Sequence, residues 1–161
     1  MAIGAAVPFP DEESIGVRTD VGEEGAALTQ ATARVEVNAA ARKAADAAQA
    51  EGRTNGTAAA LRTSDGRIFT DVSTGGATRT NHPEVQQALN NVPKNQQSDF
   101  HGCCAEIGNL NQAKSAGANT QGAMSATAKI RRPGHPAHGQ PKAPCPTCQH
   151  VHKQEGVEHV N

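Results

Sequence analysis

Cysteine occurs four times, never in the first hundred residues and always in pairs: Cys103-Cys104 side by side, and Cys145-Pro146-Thr147-Cys148 as a C-x-x-C. Cys104 and Cys145 are 41 positions apart. This is poor spacing for a disulfide framework and good spacing for a metal site, so the chain has to fold two distant segments onto one point. At 161 residues it fits one domain, since a single core commonly occupies about 100–200 residues.

Catalytic zinc takes three protein ligands and keeps a fourth position open, whereas a structural site closes all four. The sequence offers Cys104-Ala105-Glu106 and Pro144-Cys145-Pro146-Thr147-Cys148, three thiolates beside one acid. Zinc nucleobase deaminases carry H-x-E followed by P-C-x-x-C, with cysteine for the histidine in some. The pattern predicts one Zn2+ held by Cys104, Cys145 and Cys148. Glu106, two residues after a ligand, can then move protons to a ring nitrogen and to departing ammonia without ligating. Two helix starts suit such a site, because unpaired N–H groups and the positive dipole end favour thiolates.

Other readings of the same residues stay open. All four cysteines could close a structural zinc site, although vicinal side chains diverge. A thioredoxin-like role for Cys-Pro-Thr-Cys explains neither Cys104 nor Glu106. Taken alone, Glu106 reads as a solvated helix residue and Cys103 as a small packed thiol. His101 lies five positions before Glu106, outside the H-x-E spacing, and reads as a substrate contact or a surface histidine.

Around these motifs the chain alternates helix and strand signals. Met1 to about Ala27 reads as an irregular lead-in, leaving 28–161 as the zinc-dependent domain. Thr29–Glu51 is alanine-dominated with a Gly52 stop, a helix. Thr57–Thr63 and Arg67–Ser73 flank Ser64-Asp65-Gly66 as a hairpin. Pro83–Val92 reads as a helix begun by proline, and Gly102–Ala116 as another stopped at Gly117. Ala123–Arg132 is a strand, Pro133–Pro141 a loop, Pro144 to about Glu155 a helix and Val157–Val160 a last strand. Strands alternating with helices imply a sheet with helices on its faces, an α/β sandwich.

Several segments resemble the YwqJ-like deaminase domains found at the C-terminal ends of bacterial polymorphic toxins. The likeness runs from about Thr57 to Val160: the Asp65-Gly66 hairpin ending in Ser73, His82-Pro83-Glu84-Val85, Gly102-Cys-Cys-Ala-Glu-Ile and Pro144-Cys-Pro-Thr-Cys-Gln. The resemblance implies a cytidine deaminase-like three-layer α/β/α sandwich with a central mixed sheet, a fifth strand being absent or built differently. By motif position Cys104, Cys145 and Cys148 match the metal ligands and Glu106 the acid/base. Backbone N–H groups near Ala105 and Cys145 would face the base. It also implies a toxin module that acts in the cytoplasm of a target bacterial cell and is neutralised at home by an immunity protein.

Charge and loop composition bear on the substrate. Residues 1–52 carry nine acids and four bases, whereas 53–161 carry seven acids and eleven bases. A basic half suits a polyanion, and is also ordinary for a solvated surface. Arg131, Arg132, His135, His138 and Lys142 lead into the second cysteine pair and read as nucleic-acid contacts or as a solvated connector. Asn81 and His82 stand where related folds keep an asparagine for sugar or base. Phe100, one of three phenylalanines in a chain without Trp or Tyr, could stack on a base or pack in the core, whereas Phe69 reads as core. No apolar run approaches the roughly 20 residues that span a bilayer, and Met1–Ala6 lacks the features of a signal peptide. The expected function is conversion of cytosine to uracil in DNA, single-stranded at least with duplex DNA left open, by a monomer. The alternatives are an RNA- or adenine-directed deaminase of the same fold, and a zinc-stabilised binding module without catalysis.

Overall fold

The computed structural model describes the backbone from Gly22 and side chains from Thr29 onward. The chain divides between Thr32 and Ala33, and the architecture below is that of residues 33–161. Helix α1 (Gly22–Ala50) enters this unit from its N-terminal side. It starts earlier than the alanine run suggests. The remainder of the expected lead-in, residues 1–21, lies outside the described residues.

Strands β1 (Thr57–Arg62) and β2 (Ile68–Val72) form the expected hairpin. Helix α2 (Pro83–Asn90) carries proline in its first turn and His82 as its N-cap. After a 3-10 turn at Lys94–Gln96 come α3 (Ala105–Ser115), β3 (Met124–Lys129), α4 (Pro146–Glu155) and the two-residue β4 (Glu158–His159). Gly156, at φ 72°, ends α4 in the left-handed conformation that glycine adopts at little cost. The expected strand Ala123–Arg132 ends three residues early. Beyond Lys129 the chain turns back on itself, with Gly139 and Gln140 exchanging backbone hydrogen bonds with Lys129.

The strands make one mixed sheet in the order β2-β1-β3-β4. β1 runs antiparallel to both neighbours, and β3 and β4 are parallel. Period-two alternation divides the two faces. Ala58 and Ala60 of β1 with Met124, Ala126 and Ala128 of β3 meet Ala33, Val37, Ala41, Ala45 and Ala48 of α1. Spacing of three to four residues puts that α1 stripe on one face, and alanine lets backbone approach backbone. Leu61 points the other way, into a core with Val85, Leu89, Ile107, Leu110 and Val151 from α2, α3 and α4. The result is the expected α/β/α sandwich, with one helix below the sheet and three above it. Lys114 of α3 ties the upper layer together, its ammonium 2.9 Å from both Glu84 and Glu155.

Candidate active site

Both cysteine motifs sit at helix starts on the upper layer. Cys104 is the N-cap of α3 and Cys145 the N-cap of α4, each with extended backbone angles. Cys148 lies in the first turn of α4 and is fully buried. The backbone N–H of Cys148 donates to Cys145 Sγ across 3.5 Å, so a thiolate takes the capping place usually held by an oxygen.

The three sulphurs lie within 4.8 Å of one another, with Cys104 and Cys145 Sγ 3.4 Å apart. Thiolates tetrahedral about zinc at ~2.3 Å stand roughly 3.8 Å from each other, so the donor set fits a zinc ion held on three sides. Thiols this close compete for protons. Hydrogen bonds received from Cys104 and Cys148 pull the Cys145 thiol far below its ordinary range. The Cys104 thiol, donating to Cys145, is pushed up to about 12, and Cys148 is raised as well. Among the described residues this is the one group of three or more His, Cys, Asp or Glu ligand atoms clustered for a metal. Cys103 is outside it.

Glu106 is in the first turn of α3 and only 4% exposed. Burial raises its carboxyl to about 7, with the Cys145 charge adding to the rise and Lys142 and Arg79 opposing it. It lines a cavity of about 360 Å3 with Cys104, Ala105, Cys145, Asn55, Thr57, Ser73, Gly75, Gly76, Phe100, Cys103, Lys142 and Ala143. That volume falls within the range of small-ligand sites. One wall is therefore sulphur and carboxyl, and another is the end of the hairpin. Ala105 heads α3, where helical N–H groups have no intrahelical acceptor and can face a ligand.

Phe100 is 63% exposed on this cavity rather than packed in the core. Phe69 does pack against the upper core. The segment carrying Phe100 is fixed by Thr147, the third residue of Cys-Pro-Thr-Cys. Its buried hydroxyl accepts from the Ser98 N–H at 2.9 Å and pairs with His101 Nδ1 at 2.9 Å. His101 thus bridges the two motifs and is not among the residues lining the cavity. Sequence reasoning passed over Thr147, although a hydroxyl between two cysteines of a helix start is a recognisable bonding partner.

The expected nucleic-acid loop is built differently. Arg131 donates to the carbonyls of Gly56 and Ile130 at 3.1 and 2.6 Å. His138 Nε2 meets Asp46 of α1 at 2.8 Å, and its Nδ1 accepts from the Arg131 N–H. His135 Nδ1 accepts from the Ala137 N–H. These polar groups are spent on holding the loop, whereas Arg132 and Lys142 are exposed. None of Arg131, Arg132, His135 and His138 lines the cavity, and Lys142 alone of the basic candidates does. Asn81 and His82 are also engaged elsewhere. Asn81 exchanges hydrogen bonds with Asn111 and Gln86, and His82 caps α2 through Nδ1. The asparagine on the cavity is Asn55, just before β1. Cys103, expected to be packed, is half-buried and lines the cavity too. Cavity residues from the hairpin end escaped notice because only β-pairing brings residues 55–57 and 73–76 to the cysteines.

No curated protein matches this sequence. Residues 47–157 match the family model of the YwqJ-like deaminases. The matched stretch contains β1 to β3, both cysteine motifs, Glu106 and every residue lining the cavity, and stops just short of β4. The chain therefore belongs to the YwqJ-like deaminase family, enzymes acting on C–N bonds.

Proposed function

We propose that this chain is a zinc-dependent hydrolytic deaminase that converts cytosine to uracil in DNA, single-stranded DNA at least. The observation that carries the reading is the cavity, where a buried carboxyl stands at the rim of a three-thiolate cluster and an exposed phenylalanine and a lysine flank the opening.

Cys104, Cys145 and Cys148 would hold the zinc, which would supply the Lewis acidity that makes water ionisable near pH ~7. Glu106 takes a proton from water and delivers it to the ring nitrogen, then assists the amine to leave as ammonia. Water is consumed, the C4–N bond breaks and a C4–O bond forms. The Ala105 N–H, at the positive end of α3, is placed to receive a hydrogen bond acceptor of the ring.

Phe100 and Lys142 support the polymer. A base extruded from a strand needs an apolar plane, and its phosphates need a cation. With one exposed aromatic side chain among the described residues, serial stacking of many bases has no support, so one flipped base and backbone charge carry the affinity. The reading extends to biology as the sequence suggests it: a monomeric toxin module, secreted to act in the cytoplasm of a target bacterium and held inactive at home by an immunity protein.

The test is to incubate zinc-loaded protein with matched single-stranded DNA, duplex DNA and RNA and to sequence the products. C-to-T changes in DNA are expected. C-to-U or A-to-G changes confined to RNA would move the substrate to the alternative of the same fold, and activity on free cytidine alone would sink the polymer. Undiminished nucleic-acid binding by a zinc-loaded chain that deaminates none of these would favour a binding module.

A further inference from the structure

We propose that Arg79 is a positioning residue that holds Cys104 in the geometry required for the metal, working as a clamp with Asp71 and Gly108; the inference rests on the zinc reading above. Arg79 stands in the connection between β2 and α2, outside the cavity lining and outside every motif legible in the sequence. Its guanidinium is largely buried, with side-chain exposure of 12%.

One nitrogen, Nη2, donates to the carbonyl of Val72 at 2.8 Å and to the carbonyl of Cys104 at 3.2 Å. The other, Nη1, meets Asp71 Oδ2 at 3.3 Å. Asp71 is itself fixed, since its Oδ1 accepts from the Val72 N–H at 2.7 Å. A planar fork therefore joins the end of β2 to the residue that caps α3. A lysine has one point charge and cannot span these three acceptors in one plane. The Cys104 carbonyl also accepts from the N–H groups of Ile107 and Gly108, so its direction is set from both sides. With the carbonyl fixed, the Cys104 side chain is fixed relative to Cys145.

The same fork draws in the cavity wall. Between Val72 and Arg79 runs the stretch holding Ser73, Gly75 and Gly76, all on the cavity. Thr74 donates its N–H to the Cys103 carbonyl at 3.0 Å. Arg79 thus closes a loop whose two ends are both tied to the vicinal cysteines.

Gly108 is the third part of the device. It sits inside α3, where alanine would ordinarily be preferred by roughly 0.5–1 kcal/mol. A β-carbon there would stand 2.2 Å from Asp71 Oδ2 and 2.6 Å from Arg79 Nη1. Those are charged atoms held in place by their own hydrogen bonds. The helix gives up a side chain so that the ion pair can lie against it.

The experiment uses the whole chain with Arg79→Lys and Gly108→Ala. Zinc affinity is measured by competition with a chromogenic chelator, and cobalt is loaded in place of zinc so that thiolate-to-cobalt absorption reports on ligand geometry. Melting curves of the metal-free proteins check folding. We expect a folded Arg79→Lys protein whose zinc affinity drops about 10- to 100-fold, the size usual when a group supporting a ligand is lost, with an altered cobalt spectrum. Gly108→Ala, which keeps every charge, should shift affinity and spectrum the same way. Wild-type affinity and an unchanged cobalt spectrum in both variants would overturn the clamp. If Arg79→Lys does not fold, Gly108→Ala decides alone by the same criteria. A wild-type chain that binds zinc through its cysteines but deaminates nothing would end the deaminase reading and leave the clamp standing. A wild-type chain that binds no zinc would overturn both.

Discussion

Glu106 is a carboxyl 4% exposed, lining the cavity beside Cys104 and Cys145. Replacement by glutamine keeps the shape and removes the proton transfer. Turnover should fall by about 10²–10⁴-fold while native mass spectrometry still finds the metal bound. At the opening, Lys142→Ala should weaken DNA binding and flatten its dependence on salt, because one phosphate contact is lost. Phe100→Ala should cost about 1–3 kcal/mol of single-strand affinity, read by fluorescence anisotropy. Arg131→Ala makes the contrast. That guanidinium is spent on the Gly56 and Ile130 carbonyls, so its loss should lower the melting temperature more than it alters the salt slope.

Elements decide which residues reach the site. Thr147 on α4 holds the segment from Ser98 to His101, and Thr147→Val should release it. Hydrogen exchange should quicken at Ser98–Cys103, with a stability loss of about 1–3 kcal/mol for groups left unpaired. The cysteine pairs, Glu106 and the helix-strand order were legible in the sequence because each is local: a spacing, an acid two residues from a ligand, an alanine run, an Asp-Gly turn. The connection ahead of the second pair has partners that a local pattern does not show. Arg131, His135 and His138 look like a basic surface until Asp46 and the carbonyls of residues 56 and 130 are placed beside them. Gly56 is 75 positions from Arg131, and Asp46 is 92 from His138. Asn81 likewise bonds a distant residue, Asn111, and Asn55 reaches the cavity through strand pairing that no local pattern announces.

At the scale of the whole molecule, stability responds to acid through His152. Its ring is 3% exposed, stacks on His159 at a centroid distance of 6.5 Å and has no hydrogen-bond partner at either nitrogen among the described residues. Burial, reinforced by His159, lowers its pKa to about 4 from the ordinary 6.5. The unfolded chain therefore takes up the proton first. The native state has its full advantage above pH ~6.5, loses about 3 kcal/mol as pH falls to ~4, and levels off below. Denaturation at a series of pH values should show this slope, and His152→Met should flatten it. Zinc held by the three cysteines would work in the opposite direction. Its ligands bridge the starts of α3 and α4, so chelation should lower the melting temperature, recoverable by adding metal.

The 3.4 Å approach of Cys104 and Cys145 has a second side. Sulphurs held together for a cation are also held together for an oxidant, and the strongly acidic Cys145 thiol supplies the thiolate from which oxidation begins. Metal and oxygen thus compete for one pair of atoms. A chain that meets an oxidising compartment before it is loaded would be sealed by its own ligands, and reduction would be the step that arms it.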